Sequence, residues 1–295
     1  KILYGEPWRA TDSPMEEGTT AALKVNVLDL DDGVAMFSDD VRDAIKGHVF
    51  FEELPGFING GKDLEEKILG AVTAWCDNEE DEFHPKSCNQ IINYISAHDN
   101  FTLWDKLVMS MHGGHGVNNE YRENIEEEND PTIFTTKYED VMEANKLGAF
   151  IYFTCQGHLF MQAGEEYGRT KFGDGNSYRS HPEINMMRWE QTVEFSDLLD
   201  YYKGLITLRK RMPGLCDKSK EAKDRITKRT VHGKKLVSFH VDNAIDSELF
   251  VIYNANDSEM TVPMPEGEWT VVADKFSADC SKAPVLAKDG TLVVP

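Results

Sequence analysis

The residues best suited to chemistry stand at the ends of two short apolar runs. Glu6 ends the first run and precedes Pro7-Trp8, and His98-Asp99 follow the second run, which reaches Ser96. A glutamate at a strand end beside an indole is suited to act as a general acid, because partial desolvation raises the pKa of a carboxyl group. An adjacent aspartate can stabilise positive charge on an oxocarbenium-like carbon, while a histidine can hydrogen-bond sugar hydroxyls. Together these groups predict acid/base work on a glycosidic bond.

Each candidate also has a purely structural interpretation. Glu6 fits a surface glutamate at a turn, and Trp8 fits a core tryptophan as well as a ring that stacks on the C–H face of a pyranose. Thr102, just after the His-Asp pair, fits the N-cap of a helix. The chemistry therefore depends on the elements that position these residues.

Four short apolar runs that end in polar residues predict buried parallel strands. They are Ile2–Tyr4, Val34–Phe37, Ile91–Ser96 and His158–Ala163. Segments with helical periodicity lie between and after them: Asp63–Trp75, Tyr138–Thr154, and a helix capped by Ser196 that runs to about Met212. Strand–helix alternation predicts a parallel sheet, and a parallel β/α barrel presents catalytic residues at the carboxyl ends of its strands. Because a barrel cannot begin at Glu6, we expect the chain to be the later part of a larger protein.

The pattern changes after residue 214. Short β-branched runs separated by Gly, Pro, Asn and Asp predict an antiparallel sandwich. The runs are Arg225–Val231, Lys235–Val241, Ser247–Asn254, Glu259–Pro263, Thr270–Asp274 and Thr291–Val294. The predicted organisation is a partial (β/α)8 barrel over residues 1–214 and an all-β sandwich over residues 215–295, which is an α/β fold class overall.

Composition excludes several classes of function. The 295 residues carry 31 Lys+Arg and 52 Asp+Glu, a formal charge of −21, which argues against nucleic acid and anionic membranes as partners. No apolar run approaches the length of a membrane span. Five scattered cysteines without CxxC spacing indicate free thiols, and they favour a cytoplasmic over an extracellular location.

Two segments have the spacing of metal ligands without a convincing ligand set. His112-Gly-Gly-His115 lacks a neighbouring cysteine or carboxylate, and Asp174 with Asn176 fits a turn better than a calcium loop. We therefore expect no metal site and no required cofactor, with calcium left open.

Taken together, these segments resemble the α-amylase superfamily of glycoside hydrolases (family 13), and within it the type I pullulanases. The motifs are Tyr4-Gly-Glu-Pro-Trp8, Phe37-Ser-Asp-Asp-Val-Arg-Asp-Ala-Ile-Lys-Gly47, Tyr94-Ile-Ser-Ala-His-Asp-Asn-Phe-Thr-Leu-Trp-Asp105, Gln162-Ala-Gly-Glu-Glu166 with Arg169-Thr-Lys171, Asn176-Ser-Tyr178 and Ile184-Asn-Met-Met-Arg-Trp189. Phe101 departs from the family pattern, which has Gln at that position. The resemblance runs from residue 1 to about 212 and is weaker in the C-terminal part.

The resemblance implies a role for each matching residue. Glu6 would be the proton donor and later the base, His98 would bind the sugar at the cleavage point, and Asp99 would stabilise the transition state. Trp8, Asn185 and Trp189 would contact substrate. The family nucleophile is an aspartate on strand four, in an Arg-x-Asp segment that is absent here, so the chain would hold strands five to eight.

The expected function is therefore hydrolysis of α-1,6-glucosidic branch linkages in pullulan, starch or glycogen-like glucans, by a retaining mechanism in a parent enzyme. The expected partners are an α-glucan and the N-terminal half of the barrel. Two alternatives stay open at this point: an enzyme of the isoamylase or glycogen-debranching type, and a non-catalytic glucan-binding fragment.

Overall fold

A parallel sheet forms the first part of the fold. The computed structural model describes residues 2–9, 15–77, 83–116, 130–243, 247–279, 284–285 and 290–295. Its parallel strands pair in chain order and are β1 (Leu3–Gly5), β2 (Val34–Phe37), β3 (Ile91–Asn93) and β4 (His158–Leu159). The register pairs Tyr4 with Ala35 and Phe37 with Ile92. Because all four strands run the same way, their carboxyl ends meet at one edge of the sheet.

The predicted strands exist, but not all are buried as predicted. β2 and β3 have buried residues at their centres, whereas Ile2, Leu3 and Tyr4 are each more than half exposed. The prediction of burial was wrong for β1 because it is an edge strand, paired with β2 alone among the described residues. β3 and β4 also end earlier than predicted, at Asn93 and Leu159.

Aromatic rings connect the carboxyl ends of the four strands. The Phe37 ring meets the rings of Tyr4, Tyr94 and Phe160 edge-to-face, with centroids 5.9, 5.0 and 5.1 Å apart. Such pairs are worth about 0.5–1.5 kcal/mol beyond the area they bury. This cluster fixes the spacing of the strand ends from which the candidate residues project.

Helices follow the strands. They are α1 (Asp39–Lys46), α2 (Glu65–Val72), α3 (Leu103–His112), α4 (Glu139–Thr154), α5 (Pro182–Asn185), α6 (Gln191–Glu194) and α7 (Ser196–Arg211). The N-cap predicted at Thr102 is confirmed, since its hydroxyl accepts from Asp105 N at 3.1 Å. Ser196 was predicted as an N-cap and is instead the first helical residue, after Phe195.

The later strands are antiparallel. They are β5 (Ile226–Gly233), β6 (Leu236–Asp242), β7 (Glu248–Asn254), β8 (Met260–Pro263), β9 (Trp269–Thr270), β10 (Pro284–Val285) and β11 (Thr291–Val294). β5, β6 and β7 form one sheet, while β8 pairs with β11 and β9 with β10. The strand predicted over Thr270–Asp274 was wrong beyond Thr270. Asp274 Oδ1 accepts from the backbone N–H groups of Phe276 and Ser277, and this local turn replaces an extended chain.

One buried core joins the two parts. It runs from Ile45 in α1 and Val141 in α4 through Leu205 in α7 to Val237 and Tyr253 in the antiparallel sheet. The boundary predicted at residues 214 and 215 stays a prediction. Among the described residues, no helix has the length and apolar character needed to cross a membrane.

Candidate functional site

A cleft of about 510 Å³ opens at the carboxyl edge of the parallel sheet. Glu6 and Trp8 line it from the segment after β1, and His98 and Asp99 line it from the segment after β3. His98 Nε2 lies 3.9 Å from Glu6 Oε1 and 3.3 Å from Asp99 Oδ1. Residues that are more than 90 positions apart in the sequence are therefore brought together, as the strand-end argument predicted.

The three polar side chains are open to solvent. The side chains of Glu6, His98 and Asp99 are 42%, 74% and 61% exposed, and one ligand atom of each lies within 4.8 Å of the others. A polar group entering the cleft therefore meets two carboxylates and an imidazole at once.

Asn185 and Trp189 do not line this cleft. The Asn185 amide donates to Ser177 O at 2.7 Å and accepts from Ser177 Oγ at 2.9 Å, so it ties the end of α5 to the segment that begins at Ser177. Trp189 is 67% exposed, and its ring centroid lies 6.0 Å from that of Tyr167. Their predicted substrate contacts stay predictions.

Phe101 lines the cleft but cannot offer the polar contact of the glutamine usual in the family. Its side chain is almost completely buried, and its ring lies against Gly175. The backbone carbonyl of Phe101 is nevertheless used, since it accepts from Lys46 Nζ at 3.1 Å.

The weak metal candidates do not converge. His112 Nε2 lies 3.0 Å from the Asp140 carboxylate, whereas His115 Nδ1 lies 2.9 Å from Glu52 Oε2. Asp174 accepts from Asn176 N at 2.9 Å and from Ser180 Oγ at 2.5 Å, which makes it a turn residue. Cys280 lies outside the described residues.

Two basic side chains, Arg42 and Lys46, line the floor of the cleft, and the sequence did not indicate their role. Arg42 Nη1 donates to Tyr94 Oη at 2.8 Å, and Lys46 in the last turn of α1 lines the cleft beneath Phe101. Burial, and then the neighbouring Arg42, lower the pKa of Lys46 to about 7. The segment 37–47 was recognised only by its resemblance to the family, so these contacts were not foreseen.

Glu165 is the centre of a hydrogen-bond network directly behind the cleft. Its Oε1 accepts from Tyr152 Oη at 2.8 Å and Tyr202 Oη at 3.0 Å, and its Oε2 accepts from Ser96 Oγ. Glu165 begins a short 3₁₀ helix and is buried. Burial raises the pKa of Glu165 to about 7, and the three hydroxyl donors oppose that rise only in part.

Glu165→Gln should flatten the pH dependence of stability. Because the folded-state pKa is raised, the contribution of the wild-type carboxyl is fully present below pH 4.5 and is lost as pH rises to about 7. The loss is on the order of 3 kcal/mol, at about 1.4 kcal/mol per pH unit. Gln keeps the shape without ionising, so urea unfolding from pH 4.5 to 7.5 should show the variant gaining stability relative to wild type by that amount.

Glu166→Gln is the matched control, since Glu166 is the next residue and only half-buried. It should follow the wild-type pH dependence. An unchanged slope in Glu165→Gln would show that Glu165 stays ionised in the folded protein.

Comparison with known proteins shows what this chain is similar to. A model of the pullulanase all-beta domain matches residues 234–277. The pullulanase of Bacillus subtilis (strain 168) is 29% identical over 213 residues, which is 72% of this chain and 26% of the relative. Pullulanase A of Streptococcus pneumoniae (serotype 2) is 30% identical over 274 residues, which is 79% of this chain and 20% of the relative. Isoamylases and a glycogen debranching enzyme match at 24 to 27% identity.

A solved structure agrees with these relatives. The pullulanase of Paenibacillus barengoltzii, in complex with maltohexaose and α-cyclodextrin, has a TM-score of 0.78 and 27% identity, and the match covers 100% of this chain and 43% of that one. The chain spans about a fifth to a quarter of the length of the two curated pullulanases. The resemblance to pullulanases indicated by the motifs is thereby confirmed, and it extends over most of the chain.

Proposed function

We propose that the protein carrying this chain hydrolyses α-1,6-glucosidic branch linkages in pullulan, starch or glycogen-like glucans. The observation that carries the proposal is the convergence of Glu6, His98 and Asp99 in one cleft at the carboxyl edge of a parallel sheet. The pullulanase relatives support the reaction class, and the maltohexaose complex of the Paenibacillus enzyme supports an α-glucan as ligand.

In this proposal Glu6 is the general acid and base. As the acid it gives a proton to the oxygen of the scissile linkage, and as the base it takes a proton from the water that completes hydrolysis. Asp99 stabilises the positive charge that develops on the anomeric carbon, and His98 hydrogen-bonds the sugar at the cleavage point. Trp8, which lines the same cleft, offers a flat apolar ring to the sugar.

In this mechanism the nucleophile is none of Glu6, His98 and Asp99, and it lies outside the 295 residues. No Arg-x-Asp segment precedes Glu6 in the sequence, and a retaining mechanism needs a nucleophilic carboxylate about 5 Å from the acid. We assign the four parallel strands to positions five to eight of a (β/α)8 barrel and the antiparallel strands to a C-terminal sandwich. The open backbone edge of β1 would then pair with the preceding strand of the barrel, and its exposed apolar side chains would pack beside those of that strand.

Pullulan hydrolysis tests both parts of this proposal. A protein that includes the segment upstream of Lys1 should release maltotriose from pullulan, whereas the 295-residue chain alone should have negligible activity. Maltotriose release by the chain alone would contradict the assignment of the nucleophile. Absence of activity from the longer protein on all branched glucans would contradict the function.

A debranching enzyme of the isoamylase type is the second candidate, because isoamylases also match the chain. The two enzymes differ in the glucan they cut. Preference for glycogen over pullulan, measured on the same protein preparation, would favour the isoamylase type.

A further inference from the structure

The loop that carries His98 and Asp99 is held from below by buried polar side chains. The side chains of His98 and Asp99 are exposed to solvent, but backbone carbonyls of the loop are bonded to the interior. Gln162 Nε2 donates to Ala97 O at 2.5 Å, Lys171 Nζ donates to His98 O at 2.7 Å, and Lys46 Nζ donates to Phe101 O at 3.1 Å. The loop is therefore anchored before, at and after the two candidate residues.

Two of these three anchors are lysines that are almost completely buried. Lys171 is 2% exposed and Lys46 is 1% exposed. Burial of an ammonium group costs several kcal/mol even after relaxation. A buried lysine that only bonds a loop carbonyl therefore lowers the stability of the fold. An amino group keeps N–H donors whether or not it is protonated, so each lysine can hold its carbonyl although burial lowers its pKa.

Lys171 is itself fixed by the helix that follows the loop. The buried carboxylate of Asp105, in the first turn of α3, accepts from Lys171 N at 2.8 Å and from Thr170 Oγ1 at 2.5 Å. The same loop includes Asn100 in a left-handed conformation, with φ of 60°. The bonds to His98 O and Phe101 O lie on either side of this unfavourable residue, so they oppose relaxation of the loop.

We propose that Lys171 and Lys46 are positioning residues that fix the backbone of residues 98–101 and thereby place His98 and Asp99 in the cleft. This inference rests on the function proposed above. Neither lysine takes part in the chemistry as an acid, a base or a nucleophile. Their effect is geometric, and a misplacement of about 1 Å in a catalytic group can cost about 100-fold in rate.

Lys171→Met and Lys46→Met test the inference, with Lys106→Met as the matched control. Lys106 is also a buried lysine that donates to backbone carbonyls, those of Phe51 and Glu52, but these residues carry no candidate catalytic group. In the full-length protein, Lys171→Met should lower kcat on pullulan about 10- to 100-fold with little change in KM. Lys106→Met should lose comparable stability and keep kcat within about 3-fold of wild type.

Hydrogen–deuterium exchange gives a readout that does not need activity. The amides of Asp105 and Lys106 bond to Thr102 directly after the loop, and they should exchange at least 10-fold faster in Lys171→Met and Lys46→Met than in wild type or Lys106→Met. If the wild-type protein is active and Lys171→Met has the same kcat as Lys106→Met, the inference is overturned and the proposed function stands. An inactive wild-type protein would overturn the proposed function, and exchange alone would then decide: unchanged protection of the Asp105 and Lys106 amides would overturn the positioning role.

Discussion

Glu6→Gln in the full-length protein should lower kcat on pullulan about 100- to 10,000-fold while KM changes little, since general acid–base catalysis contributes a factor of that size. The variant keeps the size and hydrogen-bonding reach of the side chain, which lies 3.9 Å from His98 Nε2 and is 42% exposed. What the variant loses is the ability to give a proton to the leaving oxygen and to take one from water. The loss should therefore fall on the chemical step and not on the binding of the glucan.

The nature of the leaving group separates loss of the acid from a general disturbance of the cleft. An activated α-glucoside with a weakly basic leaving group needs little protonation, so its first step should be slowed much less by Glu6→Gln than that of pullulan. Glu17→Gln is the control, because Glu17 is an exposed carboxylate outside the residues that line the cleft. Unchanged turnover of pullulan by Glu6→Gln would make the acid/base role untenable.

The convergence of Glu6 with His98 and Asp99 was predictable from sequence for a simple geometric reason. Parallel strands put their carboxyl ends at one edge, so side chains that follow strands close together in the sheet, here β1 and β3 with β2 between them, can come within reach of one another whatever separates them along the chain. Periodicity also located α4, which was predicted over Tyr138–Thr154 and spans Glu139–Thr154.

Burial and support could not be predicted in the same way. The run Ile2–Tyr4 has the composition of a buried strand, but its exposure depends on which strands pair with it. Lys46, Glu165 and Lys171 are charged residues, and a pattern of charges along the chain indicates solvent-facing positions. Only tertiary contacts show that each one is buried and bonded to the loop that carries His98 and Asp99, or to Ser96 just before it.

Arg209→Met should destabilise the fold by about 3 kcal/mol or more. Arg209 is buried in α7, where its guanidinium donates to the carbonyls of Phe153, Cys155 and Gly157 at 2.5, 2.9 and 3.0 Å. Burial lowers the pKa of Arg209 to about 10, so the group is still charged at neutral pH and faces the C-terminal end of α4, where a cation is favourable. Each buried carbonyl left without a donor costs about 1–3 kcal/mol.

We expect the loss of these hydrogen bonds to affect the cleft as well. The residues that carry the three carbonyls connect α4 to β4, and β4 precedes Gln162, Glu165 and Lys171. Urea unfolding measures the stability loss, and Arg211→Met provides the control, since Arg211 is exposed on the same helix and its substitution should change stability by no more than about 0.5 kcal/mol. Hydrogen exchange of the Asp105 and Lys106 amides, which bond to Thr102, should also rise in Arg209→Met if β4 transmits the change. Equal stability of the two variants would mean that water replaces the guanidinium at these carbonyls, and that the junction of α4 and β4 does not depend on Arg209.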